Sequence, residues 1–210
     1  MKLYLVRHGE TLLNRDHLVQ GQGDQSLTEL GVRQAKAAAQ ALTQEGLCAL
    51  YTSPLRRALE TSTLIAAEVG LRAQVAPGLE ELDTGEMDGL TPQEMRSRYP
   101  EFMAQWSKDA GIAHLPGGES LTQVQERAWE AIEAIAKQHP EGVVAAVSHN
   151  FTICTLVCKA LDLPIAGFRR FRVDLGSISA LEVTPERPRL VLLNSTFHLA
   201  SVRASQEARE

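Results

Sequence analysis

Leu3-Tyr4-Leu5-Val6-Arg7-His8-Gly9-Glu10-Thr11 is the stretch that decides the fold. Four apolar residues in a row are too few for a helix. They also lack the alternation of a strand with one wet face, so they read as a short strand covered on both sides. The run stops at Arg7 and His8, so this strand delivers a cation and a titratable ring at its carboxyl end. Two further runs repeat the plan. Residues 49–52 lead into Ser53-Pro54, and residues 143–147, all Val and Ala, lead into Ser148-His149.

Helical periods fill the intervals. Ser26 and Glu29 read as a capping box before a helix reaching about Glu45, with Gly46 as its stop. Ser53 reads as the cap of a second helix with Pro54 at its first position. Leu55, Leu59, Ser62, Ala66 and Val69 line one face of that helix, and Gly70 ends it. Ser120 and Gln123 form another capping box, opening a helix through Gln138, and a last helix is expected from about Thr152 to Leu161. Residues 72–75 form a weaker strand. Residues 177–183 and 189–193 read as two closing strands joined through Pro185 and Pro188. Strands alternating with helices make an α/β fold. The expectation is a three-layer α/β/α sandwich on a mostly parallel sheet, a single domain over residues 1–210. Residues 79–119 interrupt the alternation with Gly, Pro and short helical pieces near 93–98 and 101–108. They read as a helical, lid-like insertion over one end of the sheet, where the active site is expected.

Composition narrows the function classes. A chain of 210 residues can bury one sizeable core. With 44% hydrophobic and 22% charged residues, disorder is expected only in the polar tail from Ser201 to Glu210. A net charge of −5 without a long Lys/Arg run argues against a nucleic-acid partner, and Arg169, Arg170 and Arg172 read as a solvated loop. No apolar run matches a membrane span, and no secretory h-region is visible. The three cysteines, Cys48, Cys154 and Cys158, do not make a disulfide framework. Cys154 and Cys158 lie one helical turn apart, but no His or acid continues a metal pattern, so core packing is the reading. A cytoplasmic location is expected, with no metal and no cofactor.

The chemistry follows from where polar residues fall. In open α/β sheets ligands bind beyond the carboxyl ends of the strands. There the strands deliver Ser53, which reads as an ordinary cap, and Ser148, and the constellation that assembles is two arginines and two histidines, Arg7, Arg57, His8 and His149. Two arginines and helix N-terminal amides can neutralise a phosphate dianion without metal, since guanidinium grips phosphate oxygens in bidentate fashion. An imidazole can attack phosphorus and carry the group covalently. The second histidine and the arginines supply alignment and charge stabilisation. The leaving oxygen needs a proton donor, and Glu80, Glu81, Asp83, Glu86 and Asp88 are all candidates. Arg56 reads as a surface charge.

Taken in order, Leu5-Val6-Arg7-His8-Gly9-Glu10-Thr11 with Asn14 resembles the opening signature of the histidine phosphatase superfamily, the phosphoglycerate mutase-like family. Gln20-Gly21, Asp24 and Leu27-Thr28 resemble its loop and helix start. Ser53-Pro54-Leu55-Arg56-Arg57-Ala58 with Thr61 resembles its second phosphate-arginine segment. Glu81 with Gly85 and Gly89 resembles its acid loop, and Pro116-Gly117-Gly118-Glu119-Ser120 and Ser148-His149 complete the set. The resemblance implies that His8 is the phosphorylated nucleophile. It implies that Arg7, Asn14, Arg57 and His149 hold the phosphoryl group, with Asn150 adding its backbone amide. It also implies that Glu81 is the proton donor and then the base for water, and that Gln20 and Gly21 bear on specificity. Substrates would be small phosphorylated metabolites, and the resemblance is compatible with a homodimer.

Some positions depart from the pattern. Asn150 stands where the family usually has Gly, and Thr84 and Asp88 stand where bulkier or aromatic-flanked residues are common. These differences bear on the substrate rather than on catalysis. A phosphoglycerate mutase is the first alternative, but residues 95–120 hold only Arg96, Arg98 and Lys108 as cations for a second phosphate. Asn194-Ser195-Thr196-Phe197-His198-Leu199 resembles the metal-independent phosphoserine phosphatases. His198 then either meets a substrate carboxylate or packs behind the last strand. Thr84, where that branch would place a histidine, weighs against it. A phosphate-binding pseudoenzyme is the remaining alternative, and the intact set of His8, both arginines and the acid speaks against it.

Overall fold

The computed structural model describes residues 1–184 and 186–207. Six strands form one sheet: β1 (Lys2–Arg7), β2 (Ala49–Thr52), β3 (Ala73–Val75), β4 (Val143–Ser148), β5 (Ile178–Glu182) and β6 (Arg189–Ser195). Their order is β3-β2-β4-β1-β5-β6. The first four are mutually parallel, whereas β5 runs antiparallel to β1 and β6 to β5. The expected mostly parallel sheet is therefore present, with an antiparallel pair closing one side.

Helices cover both faces. The chain carries α1 (Leu12–Arg15), α2 (Glu29–Leu42), α3 (Arg56–Val69), α4 (Pro92–Arg98), α5 (Pro100–Lys108), α6 (Leu121–Gln138), α7 (Asn150–Ala160) and α8 (Ala200–Glu207). Strand periodicity divides the core. Leu3, Leu5, Val144 and Ala146 point to the face packed by Ala128 and Ile132 of α6 and Ile153 and Leu156 of α7. Their neighbours Tyr4, Val6, Ala145 and Val147 point to the face packed by Ala38 and Leu42 of α2 and Ala58 and Ile65 of α3. Successive residues of β1 and β4 thus bury against opposite layers, which is why these strands read as unbroken apolar runs.

Residues 79–119 carry α4 and α5 and gather a core of their own, with Leu82, Met87, Phe102, Ala113 and Leu115 packed on Leu121 and Val124 of α6. Both short helices begin with proline at the first turn, and Thr91 completes a capping box with Glu94.

Three sequence expectations change. The cap of α2 is Thr28, whose side chain accepts from Gly31 N, rather than Ser26. Ser53 does not cap α3; Leu55 is the cap residue and makes no side-chain bond. The tail expected to be disordered is helical from Ala200 to Glu207, because Val202 and Leu199 pack on Ala37 of α2, a small apolar face within a polar sequence. Residues 208–210 and Pro185 of the β5–β6 connection lie outside the described residues. Among the described residues no helix is long and apolar enough to cross a membrane.

Candidate active site

The strand order places β2, β4 and β1 side by side, so their carboxyl ends present Ser53, Ser148-His149 and Arg7-His8 as one row. Main-chain bonds continue past the sheet proper: His8 N donates to Ser148 O (3.1 Å) and Ser53 N to Val147 O (3.0 Å). Behind His8 the chain turns against the first turn of α2. A Cβ on Gly9 would lie 2.3 Å from Gly31 O, so the backbone contact there demands glycine.

Hydrogen bonding sets the proton positions of the two imidazoles. His8 Nδ1 lies 2.7 Å from Gly9 O. A carbonyl only accepts, so Nδ1 carries the hydrogen and Nε2 keeps its lone pair. His149 is arranged the other way. Its Nδ1 accepts from Arg57 Nε (3.2 Å), so Nε2 carries the hydrogen, donated to Ser53 Oγ at 2.8 Å. The rings lie 5.1 Å apart, centroid to centroid. Burial and the Arg57 and Arg7 charges hold His8 well below the ordinary imidazole value. Burial, Arg57 and His8 do the same to His149. Both rings are therefore neutral at physiological pH, and His8 Nε2 is an available nucleophile.

Arg57, in the first turn of α3, is fully buried. Nη1 donates to Gly23 O (3.0 Å) and Nη2 to Gly21 O (2.6 Å), leaving the second hydrogen on each nitrogen for a ligand. Burial lowers its pKa to about 10, which keeps the guanidinium charged. Arg7 ends β1 and spends Nη1 on Val173 O (2.7 Å), while its Nε is buried without a partner.

The five acid candidates separate by environment. Glu81 is 4% exposed and lies on the N-terminus of α7. Its Oε1 accepts from Phe151 N (3.1 Å), Thr152 N (3.3 Å) and Leu82 N (3.0 Å), and Oε2 from Phe151 N at 3.2 Å. Glu80 faces Arg127 and accepts from Gly78 N, Asp83 accepts from Gly85 N, and Glu86 is exposed and accepts from Tyr99. Asp88 is exposed, with Oδ1 accepting from Gly21 N (2.8 Å).

Asn14 sits in α1, where its Oδ1 accepts from Thr11 N (3.2 Å), which leaves its NH2 for a ligand. Gln20 Oε1 accepts from Thr11 Oγ1 (2.8 Å), and its Nε2 is buried without a partner. Asn150 opens α7 directly after His149, the cap residue. His198 Nε2 donates to Gly176 O at 2.8 Å, and Gly176 N bonds the carbonyls of Arg7 and His8. That is the packing arrangement of the two considered for His198.

Two participants escaped the sequence reading. Ser53 looked like an ordinary helix cap, yet its hydroxyl meets His149. Arg127 of α6 donates to the carbonyls of Gly78, Glu80 and Glu81 and grips Glu119 with Nε and Nη2, both at 2.9 Å. It thereby positions the acid segment. A lone arginine in a long amphipathic helix carries no signal of this in the sequence. Among the described residues no group of three or more His, Cys, Asp or Glu side chains could hold a metal ion.

The family model described as "Histidine phosphatase superfamily (branch 1)" matches residues 3–196. Phosphoserine phosphatase 1 of Hydrogenobacter thermophilus is 34% identical over 199 residues, covering 95% of this chain and 94% of the relative. A probable phosphoglycerate mutase GpmB of Yersinia pestis is 34% identical over 187 residues, covering 87% and 85%. Among solved structures, YhfR of Bacillus stearothermophilus superposes with a TM-score of 0.88 at 29% identity, covering 94% of this chain and 98% of that one.

Proposed function

The chain belongs to the histidine phosphatase superfamily, and we propose that within it the chain works as a metal-independent phosphomonoesterase on small phosphorylated metabolites, through a phosphohistidine on His8. The observation that carries this reading is the tautomer of His8: Nδ1–H is tied to Gly9 O, and the Nε2 lone pair lies in a buried site within electrostatic reach of two guanidinium groups. The relative named as a phosphoserine phosphatase supports the hydrolase chemistry.

In the first step His8 Nε2 attacks phosphorus and the ester P–O bond breaks. Arg7, Arg57 and the Asn14 amide hold the equatorial oxygens, with the amide of Asn150 at the helix N-terminus alongside, and His149 joins them when its Nε2–H turns from Ser53 Oγ to the phosphoryl group. Glu81 gives its proton to the leaving oxygen. In the second step Glu81 takes a proton from water as its oxygen attacks phosphorus, the N–P bond breaks, and inorganic phosphate leaves with His8 neutral again. Gln20 and Gly21 border this site. The protein is expected to act in the cytoplasm, and a homodimer is compatible with the reading.

The phosphatase reading is preferred to mutase activity because the insertion's cations are few and one is committed: Arg98 is exposed and pairs with Glu94 at 3.1 Å. The test is chemical trapping. Brief mixing with a labelled phosphate ester followed by denaturation in base should leave label on His8, and His8→Ala should abolish both label and turnover while keeping the native circular dichroism. Turnover by His8→Ala, or label on another residue, would remove the mechanism. With 3-phosphoglycerate and a bisphosphoglycerate primer, phosphate release should outrun isomerisation.

A further inference from the structure

Arg7 can grip phosphate oxygens in bidentate fashion only if its planar guanidinium is held at one orientation, and that hold comes from outside β1. Nη1 donates to Val173 O at 2.7 Å. Nε is buried without a partner, so the edge made by Nε and Nη2 is the side of the fork left for a phosphoryl group. Residues 173–177 bracket the end of β1 at further points. Arg7 N donates to Ser177 O, and Gly176 N donates to the carbonyls of both Arg7 and His8, each at 3.1 Å. Val173 O therefore sets the fork, and the bracket carries Val173.

The bracket is pinned by one side chain of β6. Ile178 pairs with Ser195 and Ala180 with Leu192, so Leu193 and Asn194 stand opposite Ser179 alone. In this bulge Asn194 takes the left-handed conformation, with φ at 54°. Bulges beside active sites re-aim a side chain, and this one aims at the residue next to Val173. Asn194 Oδ1 accepts from Asp174 N (2.7 Å), and Nδ2 donates to Asp174 Oδ2 (3.2 Å). Asp174 O accepts from Ser177 N at 3.0 Å, which closes the bracket. A glycine would meet the backbone requirement with less strain, so what the asparagine adds is the two-point clamp. The other holds do less at Val173. Arg172 reaches Asp174 from a largely exposed side chain, and His198 bonds Gly176 O at the far end of the bracket.

We propose that Asn194 is a positioning residue for Arg7: by clamping Asp174 it fixes Val173 O, and through it the guanidinium fork that binds the phosphoryl group. This rests on the phosphatase reading. The phosphoryl group is common to every ester, so the effect of Asn194 does not depend on the leaving group.

The experiment compares the wild type with Asn194→Gly, Asn194→Asp and the exchange Asp174→Asn/Asn194→Asp. It measures kcat/KM on p-nitrophenyl phosphate and glycerol phosphate, and the competitive Ki of inorganic phosphate. Asn194→Gly keeps the left-handed backbone and removes the clamp. It should raise the phosphate Ki and lower kcat/KM on both esters alike, by about five- to tenfold. Asn194→Asp sets a second carboxylate against that of Asp174 and should do at least as much. The exchange reverses donor and acceptor across the same pair, and should bring Ki back to within about twofold of the wild type. A merely structural role would lower kcat with the folded fraction and leave Ki unchanged. That result, unequal loss on the two esters, or an exchange that fails to restore Ki would overturn the proposal. Should Asn194→Gly not fold, Asn194→Asp against the exchange decides alone. Absence of p-nitrophenyl phosphate hydrolysis by the wild type would instead bring down the phosphatase reading, and this proposal with it.

Discussion

Acidifying the medium should destabilise the fold before any carboxylate is protonated. His8 and His149 are buried and held neutral, well below the 6.5 of an ordinary imidazole. In the unfolded chain both regain that ordinary value. Below pH 6.5 the unfolded state therefore binds protons that the folded state refuses, so stability is full above 6.5 and falls as pH drops through it. Each such group costs up to about 1.4 kcal/mol per pH unit, so the pair removes about 2.5–3 kcal/mol between pH 7.5 and 5.5. His198, also lowered by burial, adds to the same trend. The carboxylates held low in the fold, Glu45, Glu119 and Asp174, lose their contribution only at more acid pH, below their ordinary values of 4.5 and 3.8. The assay is urea unfolding followed by circular dichroism at half-unit steps of pH, in phosphate-free buffer, with a two-state fit. His8→Asn should halve the slope against pH and His8→Asn/His149→Asn should nearly flatten it, whatever either does to absolute stability. A wild-type stability constant to within about 0.5 kcal/mol over this range would mean that the imidazoles take up protons in the fold as they do in the unfolded chain, and the neutral nucleophile would be lost.

Glu81→Gln removes a proton donor, which matters most for poor leaving groups. It should slow alkyl phosphates far more than p-nitrophenyl phosphate, and with the latter give a burst near one nitrophenol per site; equal slowing without a burst would pass the acid role to Asp88 or another neighbour. Ser53→Ala strips the acceptor from His149 Nε2–H, which is fully buried, so it should cost about 1–3 kcal/mol of stability, and a neutral result in urea would show that the contact contributes little. Activity should survive EDTA and be inhibited by vanadate; loss on chelation with recovery on adding a divalent ion would end the metal-independent reading.

The parallel core of the fold was legible because β1 and β4 are buried on both faces, so their sequences read as unbroken apolar runs that stop at polar residues. The same stops located Arg7, His8 and His149, since a strand end fixes where its next side chains emerge. Arg57 followed from its place one turn into the next helix. The choice of Glu81 among five acids rests on family likeness; in the structure that carboxylate alone of the five lies buried on the amides of α7. Other features only tertiary packing decided. Ser53 left its expected capping role because His149, 96 residues away, comes within 2.8 Å. Arg127 reached the acid segment because α6 packs beside it. The tail became helical because α2 offers Ala37 to Val202 and Leu199. Local pattern encodes which faces are buried and where strands end. It does not encode which distant group meets a polar side chain, because that partner is chosen by the packing of the whole chain.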